Sequence, residues 1–183
     1  MMTLSVIGSA ALDRADGSLD WPAIQWAQFE HDEKYHREIS RLSMQDRLRH
    51  MALHFAKYAG RLSDHPDKKV VKKTTIDTLI IAVSCANILN MDLSKKPLRP
   101  AGEEMGLNEF SRSLTVAAGK MAGACERIDH LEDFPFRKVI AEQVQVILAA
   151  AIAFMVSNGW DVVSVVENRL AGVKAKSIFH GRL

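Results

Sequence analysis

The sequence predicts an all-α protein, a helical bundle of two repeated helical hairpins with additional N- and C-terminal helices. Apolar residues recur every three or four positions along successive stretches, no alternating strand pattern of comparable length appears, and one order of segments occurs twice. A chain of 183 residues, 48% hydrophobic and 25% charged, is long enough for one well-buried core and does not demand a second domain. Residues 20–183 therefore read as a single helical domain behind a loose tail, 1–19.

Asp20 caps a helix that opens at Trp21-Pro22, where Trp26 and Phe29 give an apolar side ahead of the charged stretch Glu30–Arg37. Leu48, Met51, Phe55, Ala59 and Leu62 mark an amphipathic helix over about 44–62, which stops before Asp64-His65-Pro66. From Thr74 to Leu89 apolar side chains cover most of the circumference, the signature of a helix inside a bundle. Pro97, Pro100, Gly102 and Gly106 make a linker of 94–107. Asn108 reads as the next N-cap, before the stripe Phe110, Leu114, Ala117, Met121, Cys125 and Ile128. Asp133-Phe134-Pro135 opens a helix that runs through Ile140, Val144, Ile147 and Met155 to a stop at Gly159, and Asp161 caps a last helix over 161–176.

The repeat joins these pieces. An amphipathic helix, a polar connection, a highly apolar helix and a closing Asn90-Met91-Asp92-Leu93 recur as a second such series ending in Gly159-Trp160-Asp161-Val162. Hairpin one spans about 44–93 and hairpin two about 108–162. Two such hairpins pack naturally as a four-helix bundle.

Asp77-Thr78-Leu79-Ile80-Ile81-Ala82 leading to Asn90-Met91-Asp92-Leu93 resembles the second catalytic helix of the MazG-type all-α nucleoside triphosphate pyrophosphohydrolases. The second hairpin is similar, with Glu142-Gln143, Gly159-Trp160-Asp161-Val162 and a following helix that contains Glu167-Asn168-Arg169. The resemblance covers about 44–179. It implies a fold of helical hairpins and an activity that releases pyrophosphate from nucleoside triphosphates. It also implies Glu-x-x-Glu on one helix and Glu-x-x-Asp on the next, gathering magnesium on the substrate phosphates.

Against that pattern the acids are largely replaced. His54-x-x-Lys57 stands where the paired glutamates belong, and Thr74-x-x-Asp77 replaces Glu-x-x-Asp, so that Asp77 alone remains in the first hairpin. The second hairpin offers Lys120-x-x-Gly123 and Gln143-x-x-Val146, with Glu142 one position, about 100° of helix rotation, out of register. The expectation is a protein that has lost this catalysis and serves as an interaction, assembly or nucleotide-sensing module. The alternative is an active Mg-dependent enzyme with acids at unexpected positions; its catalytic candidates are Asp77 and Glu142.

His50, His54, Lys57 and Arg61 share one helical stripe. Two readings stand side by side. In one, Lys57 occupies the metal's volume and pairs with Asp77, leaving His54, Lys57, Asp77 and Lys120 to meet a nucleotide or other phosphate-bearing ligand; in the other the stripe is a solvated basic face. His50 and His54 also have the i, i+4 spacing of metal-binding histidines, or are a chance pair. Glu126, Asp129, His130 and Asp133 form the best oxygen-rich cluster, either a displaced metal site or a polar helix end with Asp133 as a cap. His31-Asp32 reads as a lone dipeptide, and Lys68, Lys69, Lys72 and Lys73 as part of a basic connection.

The remaining features bound partners and location. Twenty-four basic against twenty-two acidic residues leave +2, without a long basic block, so nucleic acid is not indicated. The apolar run Val144–Val156 is shorter than the roughly twenty residues a bilayer needs, so a core helix is expected and no membrane. Cys85 and Cys125, set among small and apolar residues, suggest buried thiols in a reducing, cytoplasmic compartment. Broad apolar coverage of the two central helices leaves room for a protein partner, with a homodimer expected.

Overall fold

The structure, a computed structural model, describes residues 19–95 and 104–175, with the side chain of Val173 excepted. The expected tail before residue 19 and the centre of the expected linker lie outside the described residues. Within them the chain forms α1 (Trp21–Tyr35), a short α2 (Arg37–Ser40), α3 (Met44–Ser63), α4 (Lys68–Ile88), a 3-10 turn (Leu93–Lys95), α5 (Leu107–Asp129), α6 (Phe136–Ser157) and α7 (Val162–Lys174), with no strand among the described residues. The all-α bundle is observed.

Helices α3 to α6 form a ring in which α3 packs on α4 and α5, and α6 packs on α4 and α5. Neighbours run antiparallel. Ser63 at the end of α3 meets Ser111 near the start of α5, Oγ to Oγ 3.3 Å, while Arg49 near the start of α3 binds Asp129 at the end of α5. Likewise Arg137 in the first turn of α6 donates to the carbonyl of Leu89 just beyond α4, at 2.7 Å. The core runs down the middle of this ring, where Leu48, Phe55, Leu114, Met121, Ile147 and Leu148 are fully buried. Phe110 of α5 stacks on Phe154 of α6 with ring centroids 5.0 Å apart, an aromatic contact that pins the second hairpin shut. Buried hydroxyls on α4 bond within their own helix: Thr75 donates to the Val71 carbonyl and Thr78 to that of Thr74.

The recurring closing segments have the same backbone solution. After α4, the Met91 N–H reaches the Ala86 carbonyl and the Asn90 N–H that of Asn87, with Asn90 at φ 52. After α6, the Trp160 N–H reaches Met155 and the Gly159 N–H reaches Val156, with Gly159 at φ 66. Both are Schellman closures, and both lead to an aspartate whose carboxylate accepts the N–H of a following serine, Asp92 from Ser94 and Asp161 from Ser164.

Several boundaries differ from expectation. Helix α4 starts at Lys68, because Asp67 accepts the Val70 N–H at 2.7 Å and nucleates a first turn of helix-tolerant lysines and valines; the presumed basic connection is helix. Gly106, not Asn108, precedes α5, and Pro135 precedes α6, so Asp133 makes no capping hydrogen bond. Helix α6 as a whole, 22 residues, is long and apolar enough to cross a membrane, but most of its apolar side chains lie inside the bundle, as a core helix requires. The two thiols are free and buried, and burial pushes Cys85 up to about 12.

A third Schellman closure ends α5, with Leu131 at φ 57 and its side chain 90% exposed. A leucine there is strained by its Cβ and packs on nothing. Replacement Leu131→Gly is therefore expected to raise the unfolding free energy by about 0.5–1 kcal/mol, the relieved strain exceeding the gain in unfolded-chain freedom. Urea denaturation checks it; a lower midpoint would show that the side chain has a partner.

Candidate functional site

Helix α4 presents a polar line on the face turned away from the ring: Asp77, Ser84 and Asn87, at i, i+7 and i+10. The terminal helices meet each of these groups. Gln25 of α1 donates to Asn87 Oδ1 at 2.9 Å and to the Met91 carbonyl at 2.7 Å, and accepts the Leu93 N–H. Asp32 of α1 accepts from Ser84 Oγ at 2.7 Å and from Gln28 Nε2 at 2.8 Å. Arg169 of α7 binds Asp77 with two N–H groups, Nε to Oδ1 at 2.6 Å and a terminal nitrogen to Oδ2 at 3.2 Å.

That last contact corrects the expected Lys57–Asp77 pair. A guanidinium fork matches both carboxylate oxygens, which a single ammonium does not, and α7 brings it within reach. Lys57 instead lies 3.3 Å from His54 Nδ1 and 5.0 Å from the centroid of the Tyr58 ring. Its own pKa is lowered, first by desolvation and then by Arg61, with Asp77 acting in the opposite sense.

On α3 a hydrogen-bonded ladder runs along one stripe. Tyr58 Oη lies 3.0 Å from His54 Nδ1, and His54 Nε2 lies 3.0 Å from His50 Nε2. Burial, with Lys57 beside it, lowers His54 to about 4, so the ring is neutral near pH 7. The donors then assign the protons. Tyr58 and Lys57 both donate towards Nδ1, so the hydrogen sits on Nε2 and is donated to His50. Half of the stripe, Lys57 and Arg61, is exposed as a solvated basic face would be, while His50 and His54 are partly buried and hydrogen-bonded to one another.

Between α1, α2, α3 and α4 lies a cavity of about 100 Å³, lined by Asp32, His36, Arg47, His50, His54 and Ser84 among others. His31 is buried, its ring centroid 5.4 Å from that of His36, and is lowered to about 4 by desolvation and by His36. Burial raises Asp32, against the hydrogen bonds from Ser84 and Gln28. No protein-family model, curated protein or solved structure matches the chain. The site stands on its own geometry.

Of the residues expected from sequence, His54, Lys57 and Asp77 are gathered on neighbouring faces of α3 and α4. Lys120 is exposed on α5, in the other hairpin. Glu142 is exposed on α6, and beside it Gln143 is buried. Asp129 is engaged by Arg49 and Gln45 of α3, which with Arg49 leading holds its carboxyl below the usual range; Glu126 and Asp133 are exposed. Among the described residues, no three His, Cys, Asp or Glu side chains converge as a metal-ligand set. The sequence offers Asp32 only as half of a lone dipeptide, a reading its bonds to Ser84 and Gln28 correct, and Arg169 only within the Glu167-Asn168-Arg169 segment, while His36, Arg47 and Ser84 are not among the sequence candidates. Asp32 and His36 stand at helical i, i+4 spacing, a signal that was present but gave no hint of the α3 and α4 partners.

Removing the guanidinium by Arg169→Gln leaves a carboxylate only 12% exposed without its partner. The expected loss is about 1.5–3 kcal/mol of local protection on α7. Amide hydrogen exchange over residues 162–174 measures it, and unchanged exchange would show that α7 is held by apolar contacts alone.

His31 and His54 make stability depend on pH. Their folded values, near 4, lie below the unfolded 6.5, so the unfolded chain binds more protons between those limits. Stability is expected to be full above about pH 6.5 and to fall continuously towards pH 4, with Asp32, raised in the fold, opposing part of the loss at the acid end. Urea unfolding across this window tests the sign; constant stability from pH 7 to 5 would contradict it.

Proposed function

We propose that the chain is a non-hydrolysing relative of the MazG-type nucleoside triphosphate pyrophosphohydrolases that works as an interaction, assembly or nucleotide-sensing module in the cytoplasm. The observation that carries this reading is the Asp77–Arg169 pair. Asp77 is the acid that the resemblance retains in the first hairpin, and both its oxygens are committed to a guanidinium from the chain's own C-terminal helix. The position opposite holds the neutral His54–Tyr58 ladder and Lys57 rather than glutamates.

Magnesium asks for near-octahedral oxygen ligation, usually with more than one carboxylate beside phosphates and water. One carboxylate already bound to arginine does not fit that demand. What supports the duplicated-hairpin part of the reading is that the Schellman closures after α4 and α6, unlike the one after α5, each lead to an aspartate that accepts a serine N–H. Association of copies as a homodimer is part of the same proposal.

Incubating the full chain with a panel of nucleoside triphosphates and Mg²⁺ or Mn²⁺ is expected to release no pyrophosphate above the protein-free rate. Turnover abolished by Asp77→Asn, Glu126→Gln or Glu142→Gln would overturn the proposal and establish the enzyme reading.

A further inference from the structure

Histidines four positions apart on a helix project from the same face, one turn from each other, and His50 and His54 hold that spacing on α3. Packing then decides which ring atoms meet. Nε2 of one lies 3.0 Å from Nε2 of the other, and both residues line the cavity between α1, α2, α3 and α4. One hydrogen sits between these two nitrogens, and each nitrogen is a ligating atom once that hydrogen is carried elsewhere. A metal ion can take its place.

The distance selects the ion. Imidazole nitrogens bind a late first-row metal at about 2.0–2.1 Å, so two of them 3.0 Å apart subtend about 95° at it. That is the angle between neighbouring ligands of a square-planar or tetragonal ion such as Cu²⁺ or Ni²⁺, whereas a tetrahedral ion asks for about 3.3 Å between the nitrogens. Magnesium, which takes oxygen ligands, is a poor match for two imidazoles.

The next layer of groups fits the same role. His54 Nδ1 faces Tyr58 Oη at 3.0 Å, and a metal-ligating histidine characteristically donates its other ring N–H to an oxygen in this way. On binding, the His54 hydrogen leaves Nε2 for Nδ1, the ring stays neutral, and Tyr58 turns from donor to acceptor. Asp32 sets a carboxylate on the cavity wall, which favours a cation; Arg47 on the same wall and Lys57, 3.3 Å from Nδ1, oppose it. Lys57 is exposed and can turn to water.

We propose that His50 and His54 bind one divalent transition-metal ion of the nickel or copper kind through both Nε2 atoms, with Tyr58 as a positioning residue. Among the described residues no third protein ligand converges on the pair, so water completes the coordination. The site uses neither Asp77 nor Arg169 and stands apart from the nucleotide reading.

Calorimetric titration of the untagged full chain with Ni²⁺ at pH 7.5 tests it. Ni²⁺ is expected to bind at least as tightly as Zn²⁺ and to withstand a large excess of Mg²⁺. Tyr58→Phe, which removes only the outer partner, should weaken Ni²⁺ about tenfold, and His50→Gln and His54→Gln should each weaken it by at least that much. His130→Gln, at the exposed end of α5, should leave it unchanged. With Cu²⁺ as the probe, the electron paramagnetic resonance spectrum of the unaltered chain should carry hyperfine splitting from two imidazole nitrogens, a readout that does not depend on any variant folding. No Ni²⁺ binding, tighter binding of Zn²⁺ than of Ni²⁺, displacement by Mg²⁺, an affinity that survives either histidine variant, or a copper spectrum with fewer than two nitrogens would each overturn the assignment. None of those results bears on pyrophosphate release, so the two proposals fail separately.

Discussion

Helices α4 and α6 are apolar around most of their circumference, and a helix of that kind is stable in water only when covered on every side. The amphipathic α3 and α5 supply one face each, which closes the ring but leaves the outer sides of α4 and α6 bare. Helix α1 covers α4, and α7 packs on both α4 and α6. The terminal helices are thus part of the core's solution, not appendages to it.

Coverage of an apolar surface is non-directional, and by itself it would let α1 and α7 slide. Asp77, Ser84 and Asn87 remove that freedom. Each polar group on α4 is answered by a particular partner, Arg169, Asp32 or Gln25, and a half-buried polar pair costs free energy if its register slips. The same devices that fix the cover also shape the chemistry beneath it. Asp77 is held by α7, His54 is kept neutral by burial and by Lys57, and Arg47 and Asp32 end up on the walls of one cavity because α1, α2 and α3 converge there.

The helical framework was legible early because it depends on periodicity, which is local. The stripes of α3 and α5, the uniform apolarity of α4 and α6, the Asp20 and Asp161 caps and the stop at Gly159 all appear at their expected places. Errors collected at helix starts, where Lys68–Lys73 looked like a loop and Asn108 like a cap, since a single aspartate at position 67 outweighs the composition that follows it. The candidate site was only half legible. His54, Lys57 and Asp77 are drawn together by the resemblance to the pyrophosphohydrolase hairpin, whereas Arg169 lies 92 positions from Asp77 and Asp32 lies 52 from Ser84.

By itself the sequence determined that this chain would be all-helical, that two of its helices would need cover on all sides, and that two successive hairpins would close in the same way. Tertiary structure alone decided which charges meet. Hydrophobic periodicity reports which face of a helix seeks burial without naming what will bury it, whereas an ion pair or a cavity exists only where chain segments far apart in sequence arrive at the same place. Lys57 and Arg169 were both available to Asp77, and the packing of α7 on α4 selected the arginine.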